Sequence, residues 1–463
     1  MLIRSISGLR GITSSPDGLT TEVIANYARS FATLLGNSGT IAIGYDGRSG
    51  GESVYSAVCK EVTKAGCDVI ALGMVPTPTV MFAVEKNKNV IGGISVTASH
   101  NGQEWNGMKF IAATGLFLDK EENEELWDII DNPVAAGFSP HLNEWLKPAA
   151  TEKHGSILPG ENIIDAHIES VLAIPFLALD KIRERKFRVV LDAVNASGSF
   201  IHPKLLEKLG VAEIITLAAD GSGIFPHKPE PVPQNLISLC EAVIKHKADL
   251  GIAVDPDADR CVFIMENGEP FIEENTIVLA AEEVLKNSPR GQKLVVNLST
   301  TRAVEDIAAE YGAEVFRTPV GEINVAKKMI KEAAIIGGEG SGGVIYPAVH
   351  TGRDSLVAVA LALSNLASSG MTASEKKNSL PHYEIVKSKI DLTSVEQVKS
   401  VLAAVKAKLV LKARAINEED GIRFDFYKSW LHVRASNTEP IIRLIAEAPT
   451  REEAEELLRQ ISD

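Results

Sequence analysis

One plan is written three times along this chain, and it fixes most of what the chain can fold into. Residues 40–51 (TIAIGYDGRSGG) read as a strand and a polar turn, then a helix to about Gly66, then a second strand over 68–72. Residues 188–198 (RVVLDAVNASG) repeat it, with a helix closing on Leu206-Glu207-Lys208-Leu209-Gly210 and a strand over 213–217. Residues 293–301 (KLVVNLSTT) repeat it again, with a helix closing on Glu310-Tyr311-Gly312 and a strand over 313–316. A glycine after each helix is a stop signal, because it adopts the left-handed conformation that ends a helix. Strand, helix, strand at these lengths implies right-handed crossovers. The expected fold class is α/β: three repeated doubly wound domains with mixed, largely parallel sheets.

Each copy continues into a third strand that empties into an unusual loop. The strand over 91–96 leads to Thr97-Ala98-Ser99-His100-Asn101-Gly102, and 249–254 leads to Asp255-Pro256-Asp257-Ala258-Asp259-Arg260. The segment 334–337 leads to Gly338-Glu339-Gly340-Ser341-Gly342-Gly343. Equivalent positions in three repeats carry three different chemistries, which ordinary turns do not explain. Loops at strand ends are where a rigid sheet presents reactive groups to a ligand.

Ser99 is the candidate nucleophile. Neighbours on an extended segment point opposite ways, so His100 is expected to be badly placed to deprotonate it. Asp255, Asp257 and Asp259 alternate along a short loop and can converge on one hard cation, Mg2+ or Ca2+ rather than zinc. A calcium EF-hand is excluded because Arg260 stands where its glycine is required and residues 261–265 read as a strand. An aspartyl-phosphate phosphatase loop, with its chemistry at Asp255 and Ser99 idle, remains an alternative. Three adjacent carboxylates repel unless a cation lies between them, and Mg2+ is the simplest solution. In the third loop, Glu339 and Ser341 between glycines suit the recognition of neighbouring sugar hydroxyls.

The last part of the chain changes character. A loop over 368–381, a plausible hinge, precedes a helix over 394–411, strands over 421–426, 429–434 and 440–447, and a final helix opening on Thr450-Arg451-Glu452-Glu453. Short meandering strands with helices point to a separate C-terminal α+β domain. Between two of its strands, Arg434 can grip a phosphate while Ser436, Asn437 and Thr438 complete a cradle. The expected domains are 1–150, 151–256, 257–370 and 371–463 of the 463 residues, in line with roughly 150 residues per domain.

Composition narrows the partners. A net charge of -14 argues against nucleic acid, which calls for a basic surface. No apolar run reaches membrane-spanning length, the richest being 356–363, and no signal peptide is read at the N-terminus. Cys59, Cys67, Cys240 and Cys261 have no finger or Cys-x-x-Cys spacing and are read as reduced thiols of a cytoplasmic protein, Cys261 as strand core.

The four loops in this order, Thr97-Ala98-Ser99-His100-Asn101, Asp255 to Arg260, Gly338 to Gly342 and Arg434 to Pro440, resemble the signature loops of the α-D-phosphohexomutase superfamily over essentially the whole chain. The resemblance implies a four-domain isomerase interconverting hexose or hexosamine 1-phosphate and 6-phosphate through a covalent phosphate on Ser99, with a hexose 1,6-bisphosphate as intermediate and activator. It implies Mg2+ held by Ser99, Asp255, Asp257 and Asp259, with Lys109, Arg260 and Arg10 attending the phosphoryl group. Asp46 and Arg48 match a further family segment and are taken as structural. The chain departs from many bacterial members at Gly343, where they end the sugar loop in histidine, and at Glu322, where some have histidine. The proton carrier is therefore left open between Lys109 and His100. Residues 226–235 (PHKPEPVPQN) resemble the branch with archaeal-type phosphomannomutases and phosphoglucosamine mutases. The implied partner is a small phosphosugar, with no nucleic acid or membrane, and the assembly is a monomer or homodimer. A non-catalytic sugar-phosphate binder is the third reading.

Overall fold

In all three repeats the parallel strands lie in the same order, with the third strand first, the first in the middle and the second last. The computed structural model describes residues 2–132, 154–392, 397–435 and 441–462. The chain divides into two compact units, Met1–Glu273 with Gly343–Ser374, and Glu274–Gly342 with Glu375–Asp463.

The first unit holds two repeats. In the first, Val90–Val96, Thr40–Tyr45 and Asp68–Met74 pair in parallel. In the second, Leu250–Val254, Arg188–Asp192 and Glu213–Ala218 do the same. The central strands carry unbroken apolar runs because both faces are covered, and Ile41, Ile43, Val189 and Leu191 are wholly buried. Gly66 and Gly210 follow their helices with φ of 99° and 91°, as their sequence positions require.

The sheets are mixed, as expected, and their antiparallel members build the site. Trp105–Ala112 returns antiparallel to Val90–Val96, and Cys261–Met265 returns antiparallel to Leu250–Val254. The reason is loop length: the short segments 97–104 and 255–260 can join only antiparallel neighbours, since a parallel return needs a long crossover. This turn-back sets Lys109 beside Ser95. The hairpin Leu2–Ser5 and Gly8–Ile12 adds two more antiparallel strands, with Arg10 opposite Gly107. A side chain at Gly107 would meet the Leu9 carbonyl at 2.2 Å and the Thr97 carbonyl at 2.7 Å, so only glycine lets Arg10 and the Ser99 loop approach this closely.

Gly343–Tyr346 and His350–Arg353 form an antiparallel pair leading into the helix Ser355–Ser369. That helix contains the most apolar run of the sequence and is buried along most of its length. No single described helix is long and apolar enough to cross a membrane.

In the second unit, Ile336–Glu339, Lys293–Asn297 and Glu314–Thr318 pair in parallel and carry the third repeat. The C-terminal part is a five-stranded antiparallel sheet in the order Glu384–Asp391, Ile441–Ala448, Trp430–Ala435, Ile422–Asp425, Ala415–Asn417. Its core joins Phe424, Leu431, Val433 and Leu444 to Val405 and Leu409 of the helix Gln397–Leu409 and to Leu458 of the helix Arg451–Ser462.

The segment 368–381, expected as a loop, instead holds the helix Ala373–Ser379. Its sequence, ASEKKNS, has no apolar periodicity to announce it. It is tied by tertiary contact, with Ser374 N donating to Glu266 at 3.1 Å.

Candidate active site

Ser99 sits at the end of Val90–Val96 with its backbone in the left-handed region, φ 51°, and its side chain buried. A residue with a Cβ takes this conformation only when its surroundings impose it. They do so through a chain of buried bonds. Thr97 Oγ1 donates to Asp46 Oδ2 at 2.6 Å and accepts from Ser99 N at 2.8 Å. Arg48 donates to Asp46 at 2.8 Å, to the Trp105 carbonyl at 2.9 Å and to the Ser99 carbonyl. Asp46 and Arg48 are thus the frame of the Ser99 loop.

The left-handed turn also overturns the expectation for His100. Its Nδ1 lies 3.3 Å from Ser99 Oγ, because the two residues are not on an extended segment and do not point apart. Burial, then the nearby Arg260 and Arg10, hold the His100 pKa well below the usual histidine value, so the ring is neutral and resists taking a proton, and its place is that of a hydrogen-bonding partner of Ser99 Oγ.

The loop 255–260 reaches the same place. Ser99 Oγ is 3.3 Å from Asp255 Oδ2, and Arg260 N donates to Asp255 Oδ1 at 3.2 Å. Lys109 Nζ donates to Asp257 Oδ2 at 2.6 Å and to Asp259 Oδ2 at 3.1 Å. Thr77 Oγ1 donates to Asp257 Oδ2 at 2.8 Å, and Arg353 donates to Asp259 Oδ2 at 2.6 Å. Arg10 donates to Asn101 at 2.8 Å, within the Ser99 loop. The first unit therefore brings Ser99, His100, Lys109, Arg10, Arg260 and the three aspartates together. Arg353 and Thr77 escaped the sequence reading; the only signal was the polar Gly352-Arg353-Asp354-Ser355 run at the end of a strand.

The three carboxylates fit a hard divalent cation. Their ligand atoms lie within 4.8 Å of one another and all three residues are buried. Asp257 Oδ1 and Asp259 Oδ1 are buried and make no hydrogen bond among the described residues, although Arg260 Nε stands 3.7 Å from the latter. Burial and the charges of Asp259 and Asp257 push Asp255 well above the ordinary carboxylate range. Burial also acts on Asp259, but Arg353, Lys109 and Arg260 outweigh it and hold that carboxyl low. Lys109 is pulled down by burial and up by Asp257 and Asp259, and the net direction is up, so it remains a cation. The protein's own cations thus keep Asp259 charged, while Asp255 is left short of positive charge. All-oxygen ligation with this deficit suits a hard divalent cation such as Mg2+ or Ca2+.

The remaining candidates belong to the second unit. Glu339 is the last residue of the strand Ile336–Glu339 rather than a loop residue, and Oε1 accepts from Asn297 Nδ2 at 2.7 Å and from Gly321 N at 3.1 Å. Ser341 is half-buried in the turn that follows. Arg434 lies on Trp430–Ala435 and is paired with Asp420 at 3.2 Å. Ser436, Asn437 and Thr438 lie outside the described residues. All four cysteines are free thiols, and burial pushes Cys261 well above its usual value, which leaves it inert in the strand core.

Family models of phosphoglucomutase/phosphomannomutase match nearly the whole chain: alpha/beta/alpha domain I over residues 2–135, domain II over 165–268, domain III over 273–383, and the C-terminal domain over 385–463. A phosphoglucomutase/phosphomannomutase of Thermococcus kodakarensis is 36% identical, the match covering 97% of this chain and 95% of that protein. A phosphoglucosamine/phosphogalactosamine mutase of Sulfurisphaera tokodaii is 30% identical over 98% of this chain and 97% of its own length. The crystal structure of a phosphoglucomutase/phosphomannomutase family protein from Burkholderia thailandensis superposes with a TM-score of 0.84 at 25% identity, covering 100% of this chain and 97% of that one.

Proposed function

From the premise that this chain belongs to the phosphoglucomutase/phosphomannomutase family of the α-D-phosphohexomutase superfamily, we propose that it interconverts the 1- and 6-phosphates of a hexose or hexosamine through a phosphate carried on Ser99. The observation that carries this reading is the 3.3 Å approach of Ser99 Oγ to Asp255 in a buried cluster of three carboxylates.

In the first half-reaction a sugar hydroxyl attacks the phosphorus of phosphorylated Ser99, the bond from Oγ to phosphorus breaks, and a 1,6-bisphosphate forms. The hydroxyl proton lost by the sugar is balanced by the proton Ser99 Oγ gains. The bisphosphate turns over, and its other phosphoryl group returns to Ser99. A loose phosphoryl-transfer transition state asks for alignment and charge neutralisation more than for a strong base. Arg10, Lys109 and Arg260 are proposed to supply positive charge, and neutral His100 to hydrogen-bond Ser99 Oγ as phosphate leaves and returns. Mg2+ bound by Asp255, Asp257 and Asp259 would add charge neutralisation at the transferring group. Glu339 and Ser341 are assigned the sugar hydroxyls, and Arg434, Ser436, Asn437 and Thr438 the phosphate that is not reacting.

A phosphatase acting through Asp255 is not favoured: family membership points to transfer, and both Asp255 oxygens are engaged, by Ser99 Oγ and Arg260 N. The deciding experiment replaces Ser99 with alanine and assays glucose, mannose and glucosamine 1-phosphates in parallel with a bisphosphate activator. Mutase turnover should vanish together with the phosphate detected by intact-mass measurement. Full turnover in Ser99→Ala, or phosphate release as the main reaction of the unaltered enzyme, would sink the proposal.

A further inference from the structure

The carbonyls of the loop 255–258 are each taken by a different donor. Ala258 N closes a turn onto the Asp255 carbonyl at 2.9 Å. Ser197 Oγ donates to the Pro256 carbonyl at 2.7 Å, and Ser197 N approaches it at 3.3 Å. Thr77 N donates to the Asp257 carbonyl at 3.0 Å. Ser355 Oγ donates to the Ala258 carbonyl at 2.6 Å, with Ser355 N at 3.4 Å. Thr77 and Ser355 open the helices Thr77–Lys86 and Ser355–Ser369, and Ser197 precedes Gly198–Leu209. Three helix starts therefore meet the acidic loop, each with a hydroxyl and with its positive dipole end.

The loop needs such a hold. Ala258, between two of the aspartates, has φ 47°, the left-handed conformation that a residue with a Cβ avoids. Left to local preference it would swing toward an extended backbone and carry Asp257 and Asp259 apart. Ser355 is itself fixed on both sides. His202 Nε2 lies 3.0 Å from Ser355 Oγ. Its Nδ1 faces the Gly198 carbonyl at 3.3 Å, and burial pushes His202 down to about 4, so a neutral ring near pH 7 holds Ser355 Oγ from the side away from Ala258. Next to Ser355, Asp354 caps its helix through Leu356 N at 2.8 Å, and its other oxygen takes His167 at 2.8 Å and His350 at 3.2 Å.

We propose that Ser197 and Ser355 are positioning residues for the metal site, holding the Pro256 and Ala258 carbonyls so that Asp255, Asp257 and Asp259 converge before the cation arrives. This rests on the reading that the three aspartates bind Mg2+. Neither serine carries charge, so replacing it changes the geometry of the site without changing the field on the ion. Groups that orient metal ligands from outside the coordination sphere typically affect affinity by about 10- to 100-fold.

The test is calorimetric titration of Mg2+ into the full-length enzyme after removal of phosphate from Ser99, with Asp257→Asn as the control that loses binding. Ser197→Ala and Ser355→Ala should each raise the Mg2+ Kd roughly tenfold, and Ser355→Thr, which keeps the hydroxyl, should restore it. Turnover of both alanine variants should recover at high Mg2+. A purely structural role predicts lower thermal stability with an unchanged Mg2+ Kd, and that outcome overturns the proposal. If the unaltered enzyme and Asp257→Asn both fail to bind Mg2+, the metal reading fails and this proposal with it. Should Ser355→Ala not fold, Ser197→Ala alone decides the matter by the same titration.

Discussion

Asp46 and Arg48 form an ion pair at 2.8 Å with both side chains wholly shielded from solvent. Arg48 also donates to the Ser99 and Trp105 carbonyls, and Asp46 accepts from Thr97, so the pair is fully satisfied and aimed at one loop. Removing one member of such a pair leaves a buried charge without its partner, which costs roughly 3 to 5 kcal/mol. Arg48→Met is therefore expected to lower unfolding stability by about that amount in a urea titration. Asp46→Asn combined with Arg48→Met should cost less than the sum of the single changes, because the stranded charge is gone. Additive losses would show that the two side chains act independently.

His202 gives the fold a pH window with a definite sign. Burial holds its folded pKa near 4, against an ordinary value of 6.5, so the unfolded chain takes up the proton more readily. Its contribution is fully present above pH 6.5, declines as pH falls from 6.5 toward 4, and is spent below that. The shift corresponds to about 3 kcal/mol. Since burial pushes His432 into the same range, the diagnostic is a difference. His202→Gln should flatten the stability-against-pH profile between pH 6.5 and 4 relative to the unaltered enzyme. Parallel profiles would mean that His202 does not titrate as the structure requires.

Gly343 has no room for a side chain, and the neighbour that forbids one is named by the structure. A Cβ at this position would stand 2.2 Å from Arg353 Cδ, and it is Arg353 that donates to Asp259 at 2.6 Å. The glycine makes room for the arginine. Gly343→Ala should displace Arg353 and destabilise the protein by about 1 to 3 kcal/mol, the usual range for overpacking. In that background Arg353→Met should cost much less than it does alone, as measured by denaturation of all four members of the cycle. Equal costs in both backgrounds would show that Arg353 keeps its contact despite the added methyl.

The repeats were legible because apolar runs, terminal glycines and strand-end loops recur at the same spacing, and Ser99 and the three aspartates stood out as chemistry in the wrong place for a plain turn. Residues acting across long sequence separations were not legible. Arg353 and Ser355 reach Asp259 and Ala258 only through tertiary packing, which no local pattern encodes. The approach of His100 to Ser99 is not legible because alternation of side chains holds for extended backbone, and the φ of 51° at Ser99 is imposed by Thr97 within the loop and by Asp46 and Arg48 from elsewhere in the chain. The helix Ala373–Ser379 was missed because it is polar and short, so its hold comes from contacts such as Ser374 to Glu266.

Glu339 offers the sharpest test of the sugar loop. Its Oε1 accepts from Asn297 and from Gly321 N, and both donors would be served equally well by the carbonyl oxygen of a glutamine. In Glu339→Gln the amide NH2 then replaces the second carboxylate oxygen, turning an acceptor into a donor with little change in shape. If that oxygen accepts from a sugar hydroxyl, the variant loses a hydrogen bond to a charged group, worth roughly 1.5 to 3 kcal/mol. A fall of about 10- to 100-fold in kcat/KM is the expected result. The loss should be smaller for a sugar whose stereochemistry already places that hydroxyl elsewhere, so the three 1-phosphates must be compared. An unchanged kcat/KM for every sugar would remove Glu339 from the recognition site and leave it a structural role that includes tying Asn297 and Gly321 together.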